Sequence, residues 1–284
     1  MTTDARLFGR RALLRGALAG ATLGALGARP SLARAAAPRV LILGDSMIAG
    51  GLGLFLENGL RKEHGYEVRR FGKSSTGLSR PDFFDWMKEG KRQIDAFPEV
   101  DAVVVMFGGN DVQGLFMGKS KAKGTEWIIW PDAEWPVEYA RRVTAFADLV
   151  APAGRDLFWI GMPVMRPEKF HERVQRVNTI YRAEMAIRPG GHFVDIWRLL
   201  ADGAGRYTDR LTVEEGGKSS KIRVRAGDGI HLSVAGAHHV EAHVRARIVA
   251  RLGAPGGEVG APEVASAAGE GLEAPTDEAA QGGA

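Results

Sequence analysis

The stretch Arg39-Val40-Leu41-Ile42-Leu43-Gly44-Asp45-Ser46-Met47 decides the fold. Four consecutive large aliphatic residues leave no alternation between core and solvent, so the run reads as a strand buried on both faces. It ends in a tight Gly-Asp-Ser turn, and residues 50–63 follow with apolar side chains at helical spacing. The same alternation continues along the chain. Strands are predicted at 66–72, 102–107, 156–161 and 192–195, and helices at 137–150, 168–185 and 234–251. Continuous apolar strands separated by amphipathic helices indicate an α/β fold with a parallel sheet covered on both sides. In such sheets a site lies outside the carboxyl ends of the strands, where Ser46, Gly108–Asp111 and Met162-Pro163 all fall.

The formal charge of +4 is unevenly spread. The first 35 residues supply +5 and the last 30 supply −6, which leaves +5 for the middle of the chain with no basic run. Nucleic-acid binding wants clustered Lys and Arg on a recognisable motif, and neither is present. The absence of cysteine excludes disulfides, thiolate nucleophiles and Cys-based metal sites.

Two end segments stand apart. Residues 1–35 carry Arg10-Arg11, then Leu13-Leu14, an Ala/Gly/Leu stretch and Ala33-Arg34-Ala35. A basic region, a modest apolar region and an A-x-A site in that order read as an export signal of the twin-arginine type, cleaved after Ala35. The expected location is the periplasm or the exterior. The apolar stretch falls short of the roughly 18–20 residues that span a bilayer, and no membrane span is expected in the mature chain. Residues 254–284 are Gly, Ala, Pro and Glu with little that is large and apolar, which predicts a disordered acidic tail. The globular domain is therefore placed at 36–253. Within it, 117–136 forms a Trp-rich insertion, and 207–224 reads as a β-hairpin turning at Glu215-Gly216-Gly217-Lys218.

The chemistry rests on three separated places. Ser46 sits in the Gly-Asp-Ser turn, as a nucleophile or as a helix N-cap. A serine hydroxyl needs an imidazole to take its proton, and the imidazole needs a carboxylate to orient it. Asp228 and His231, three apart just before the last helix, offer that pair; the alternative is a capping Asp and a surface His. Asn110, after the strongest strand, either donates its amide to a developing oxyanion or simply makes a turn. No Gly-x-Ser-x-Gly elbow is present, which points away from the α/β-hydrolase architecture. His239 and His243 have the i, i+4 spacing of a zinc pair but lack an H-E-x-x-H frame, so neither a metal nor any other cofactor is expected.

Gly44-Asp45-Ser46, a glycine after the second strand, Gly109-Asn110-Asp111 and Asp228-x-x-His231 resemble the four blocks of the SGNH (GDSL-like) hydrolase superfamily, in order, over residues 38–252. The stretch 75–82 and the segment from Trp135 to Arg142 further resemble a periplasmic subgroup of that superfamily. The resemblance implies a three-layer α/β/α sandwich with a five-stranded, mainly parallel sheet of flavodoxin-like order, and metal-independent ester hydrolysis or acyl transfer. It implies Ser46 as nucleophile and Asp228 and His231 as its partners. It also implies an oxyanion hole from the N–H groups of Ser46 and Gly77 with the Asn110 amide; Gly77 is preferred over Gly72 in the second block.

Four residues are candidate substrate contacts. Trp127, Trp130 and Trp135 either stack on a sugar or pack on one another as a small satellite core. Arg80, with Lys73 near the second block, either meets an anionic group or is simply solvated. The expected partner is a small-molecule or glycan ester, with O-acetyl groups on envelope glycan as the suggested substrate. An acyltransferase using the same triad, or a non-catalytic envelope binding protein, are the alternatives.

Overall fold

The computed structural model describes residues 36–120, 124–152 and 154–253. The expected export signal and acidic tail lie outside the described residues. In chain order the elements are β1 (Arg39–Gly44), α1 (Ser46–Ala49), α2 (Gly51–His64), β2 (Glu67–Gly72), α3 (Trp86–Ala96), β3 (Ala102–Met106), β4 (Leu115–Ser120), β5 (Gly124–Ile128), α4 (Glu134–Val150), β6 (Asp156–Ile160), α5 (Glu168–Ile187), β7 (Gly191–Val194), β8 (Arg210–Glu215), β9 (Lys218–Arg223) and α6 (Val234–Leu252).

The central sheet runs β2-β1-β3-β6-β7, and every pairing in it is parallel. The expected sheet was mainly parallel; it is wholly so, because each strand is followed by a crossover and no hairpin joins it. In order of appearance its strands lie 2-1-3-4-5, the flavodoxin-like arrangement. Strands β3 and β6 are buried along their whole length, as is β1 from Val40 onward. Helices α2 and α6 pack together on one face, and α3, α4 and α5 form the other layer. The chain leaves β1 toward one edge and returns at β3 toward the other. That switch opens a crevice beyond the ends of β1 and β3, and Ser46 and Asn110 follow those two strands.

Three elements depart from the sequence expectation. Helix α3 was not foreseen. Its buried face consists of Trp86, Gly90 and Gln93, so one large apolar residue carries a periodicity that normally needs several. Its start is written in polar chemistry, since the Asp85 side chain accepts from Met87 N–H and Lys88 N–H. The Trp-rich insertion is not irregular, for it contains the antiparallel β4–β5 hairpin. It also ends earlier than expected, because α4 begins at Glu134. Pro136 does not break that helix, since a first-turn proline lacks only an N–H that would have no intrahelical partner. The β8–β9 hairpin forms where expected and turns at Gly216-Gly217, both at positive φ.

Candidate active site

Asp45, and not Ser46, caps α1: its carboxylate accepts from Met47 N–H at 3.0 Å. Ser46 is therefore the first helical residue, with its hydroxyl free to leave the helix. Ser46 Oγ lies 2.9 Å from His231 Nε2. On the far side of the ring, His231 Nδ1 lies 2.6 Å from Asp228 Oδ2. The other oxygen, Asp228 Oδ1, accepts from Ile230 N–H at 2.8 Å and His231 N–H at 2.9 Å. Asp228 thus holds both the backbone and the ring of His231, with Nδ1 as donor and Nε2 left to accept from the serine. Burial pushes the Asp228 carboxyl up, but the His231 hydrogen bond and the two backbone donors together outweigh it and leave it at about 2. The cap of α6 is Ser233, which accepts from Gly236 N–H, so neither Asp228 nor His231 is spent on capping that helix.

The second wall comes from β3 and the segment after β2. Asn110 Nδ2 donates to Thr76 O at 3.0 Å, which locks its side chain beside Gly77 and leaves one amide hydrogen over. The N–H groups of Ser46 and Gly77 donate to no described residue. Gly77 has to be glycine: a Cβ there would lie 2.2 Å from Asp111 Oδ1. Asp111 is fully buried and is the post on which this segment hangs. It accepts from Ser79 N–H at 2.7 Å and from the Tyr139 hydroxyl at 2.8 Å, and Tyr139 contacts Tyr181 at 2.6 Å. Asp45 is equally buried. Desolvation lifts its carboxyl to about 7; the Met47 N–H opposes the shift and the charge of Asp111 adds to it.

Two arginines that sequence reasoning missed brace these walls. Arg142 Nη1 donates to Leu78 O and Ser79 O, its Nη2 to Phe116 O, and its Nε to Glu138. Arg225 is completely buried. Its guanidinium donates to Val164 O at 2.9 Å, Gly229 O at 3.2 Å and Ile230 O at 2.7 Å, tying the loop after β6 to the loop that carries Asp228 and His231. Burial lowers its pKa to about 10. In sequence, Arg223-Val224-Arg225 alternates like an exposed strand, so no periodic signal marks Arg225 as interior.

The remaining candidates separate. Trp135 is 0% exposed and donates through its indole N–H to Gln113 O. Trp130 packs on it with ring centroids 4.3 Å apart. Trp127, 42% exposed, lies instead against Phe116 and beneath Arg80. The three form neither one platform nor a separate satellite core: Trp135 belongs to the main core, stacked on Tyr139, Trp130 packs against it from the edge, and Trp127 lies apart. Arg80 is engaged by a two-pronged ion pair with Asp82, both contacts at 2.9 Å, while Lys73 is exposed. A cavity of about 180 Å³ opens directly on Ser46 and His231, walled by Met47, Gly51, Leu232 and Val234. Among the described residues no group of three His, Asp or Glu side chains is gathered as a metal site would require, and no helix is long and apolar enough to cross a membrane.

The model of the family described as "Protein of unknown function (DUF459)" matches residues 39–247. No curated protein is similar enough to the chain to match it. Among solved structures, the chain resembles a putative SGNH hydrolase from Slackia heliotrinireducens, with 18% identity and TM-score 0.51, over 75% of this chain and 100% of that one. A carbohydrate acetylesterase family member from Sinorhizobium meliloti matches with 14% identity and TM-score 0.51, over 75% and 97%. A variant of an acetyl-xylooligosaccharide esterase from Geobacillus stearmophilus matches with 15% identity and TM-score 0.51, over 74% and 94%. The fold is that of the SGNH hydrolases.

Proposed function

The chain belongs to the DUF459 family, and from that premise we propose that it is a serine esterase whose acyl-enzyme forms on Ser46. The observation that carries this reading is the unbroken relay from Ser46 Oγ through His231 to Asp228, at 2.9 and 2.6 Å. His231 Nε2 takes the hydroxyl proton as Ser46 Oγ bonds to the ester carbonyl carbon. Asp228 stabilises the imidazolium that results and stays ionised. The carbonyl oxygen, now negative, meets the N–H groups of Ser46 and Gly77 and the amide of Asn110. When the tetrahedral intermediate collapses, the C–O bond to the alcohol breaks and His231 returns the proton to the leaving oxygen. Water then repeats the sequence against the acyl-enzyme, releasing the acid and restoring Ser46.

Hydrolysis is favoured over acyl transfer because the side chains of His231 and Asp228 remain 46% and 43% exposed. A transferase has to keep water from the acyl-enzyme, and an open triad does not. The small cavity beside Ser46 suits a short acyl group such as acetyl. The twin-arginine-like leader in residues 1–35 supports export to the periplasm, where acetylated envelope glycan is the proposed substrate. Two of the fold relatives are described as acting on carbohydrate acetates, in keeping with that choice.

The test is turnover of a panel of acetylated oligosaccharides and aryl acetates, with and without a glycan acceptor. Release of acetate that is lost in Ser46→Ala, with no transfer product, is the expected result. Undiminished turnover in Ser46→Ala would place the nucleophile elsewhere, and a dominant transfer product would make the protein a transferase.

A further inference from the structure

Beyond Asn110 the rim carries cations that the triad does not use. Lys169, Arg173 and Arg176 stand on α5 at spacings of four and three, hence on one face of the helix. None of them is in ion-pair contact with a carboxylate among the described residues. Arg173 and Arg176 lie over the ring of Trp130, 5.0 and 5.2 Å from its centroid. Trp130 is fixed in turn against buried Trp135. Arg173 is further tethered by donating to Val112 O at 2.7 Å. An aromatic face beneath two guanidiniums offsets part of their repulsion and holds their planes in place.

With Glu172 these residues line a concavity of about 330 Å³ whose net charge is +2. It neighbours the segment after β3 that carries Asn110, through the Arg173 contact with Val112. Val112 is two residues from Asn110, so their Cα atoms are at most about 7.6 Å apart. Phe170, on the same stretch of α5, faces Gly109, where a Cβ would lie 3.9 Å from its ring. Like charges at these spacings destabilise a helix, and an anionic ligand would reverse that. Arginine forks match the paired oxygens of a carboxylate or a phosphate.

We propose that Lys169, Arg173 and Arg176, seated on Trp130, form a subsite for an anionic group, carboxylate or phosphate, carried by the glycan whose ester Ser46 cleaves. The proposal rests on the esterase reading and gives the Trp-rich insertion a role, in which Trp130 supports the cations and does not itself stack a sugar. The ester and the charged group would lie within the span of a short oligosaccharide.

The experiment measures binding to Ser46→Ala in the full chain, by calorimetry and tryptophan emission, at low and moderate salt. The probes are trigalacturonate, a phosphorylated trimannose and neutral trigalactose. At least one anionic probe should bind tenfold or more tightly than the neutral one, weaken with salt, and fall to the neutral level in a Lys169→Gln, Arg176→Gln double variant. Both positions are exposed, so that variant should fold. The stronger of the two anionic probes identifies the group. Equal binding of all three, or no change in the double variant, would overturn the subsite. An unreactive Ser46 in the unaltered protein with anion-selective binding intact would instead overturn the esterase reading and leave the subsite standing.

Discussion

Asn110 spends one amide hydrogen on Thr76 O, and the proposed mechanism assigns the other to the oxyanion. Replacing it by alanine removes a donor aimed at developing charge, and is expected to lower kcat about 10²–10³-fold with KM little changed. Steady-state kinetics on an aryl acetate checks this; a loss confined to KM would mean that Asn110 binds the ground state. Asp45 gives a second residue-level prediction, in stability. Its carboxyl is held near 7 in the folded protein by burial, with Asp111's charge adding, against about 3.8 when unfolded. Between those values the unfolded chain releases a proton that the folded chain keeps, so stability contributed by this group falls as pH rises from about 4 to 7. The slope is at most about 1.4 kcal/mol per pH unit. Asp45→Asn can still accept from Met47 N–H and removes the titration. Chemical denaturation at pH 4 and pH 7 should therefore show a smaller decline for the variant than for the native chain, and equal declines would refute the assignment.

At the scale of elements, the two loops that frame His231 are joined by Arg225. Arg225→Met removes three hydrogen bonds to carbonyls and leaves the buried Val164 O without its donor, while Gly229 O keeps the Arg166 N–H. A cost of about 3 kcal/mol in stability is expected from lost bonds to a charged donor, with kcat falling more than KM rises because the Asp228–His231 loop loses its register. Arg225→Lys should recover part of both, and unchanged kinetics in a folded Arg225→Met would show that the loop holds without it. This brace was not legible in the sequence, where nothing distinguishes Arg225 from its exposed neighbour Arg223. Strands β1, β3 and β6 were legible because buried parallel strands are written as near-continuous apolar runs, aliphatic in β1 and β3 and partly aromatic in β6. Helix α3 was not, since its inward face holds Gly90 and Gln93 in place of apolar side chains. Ser46, Asp228 and His231 were legible because they sit at element ends in recognisable order. Which of the three tryptophans would be buried was not, because composition alone does not separate Trp135, whose indole finds Gln113 O, from Trp127, whose indole stays half in water.

On the scale of the whole molecule, all five strands of the sheet, both braces and the triad lie within residues 36–253. A chain trimmed to those residues is predicted to melt cooperatively and to keep the esterase rate of the full chain, measured by thermal circular dichroism and turnover side by side. A trimmed chain that folds but is inactive would assign the terminal segments a part in the site. In the proposed mechanism His231 and Asp228 make Ser46 a nucleophile. The most direct test is labelling of the folded protein with a fluorophosphonate, followed by mass mapping of the adduct. One adduct is expected, on Ser46, abolished in His231→Ala although that variant remains folded. No adduct on Ser46, or labelling that persists undiminished without His231, would contradict that mechanism.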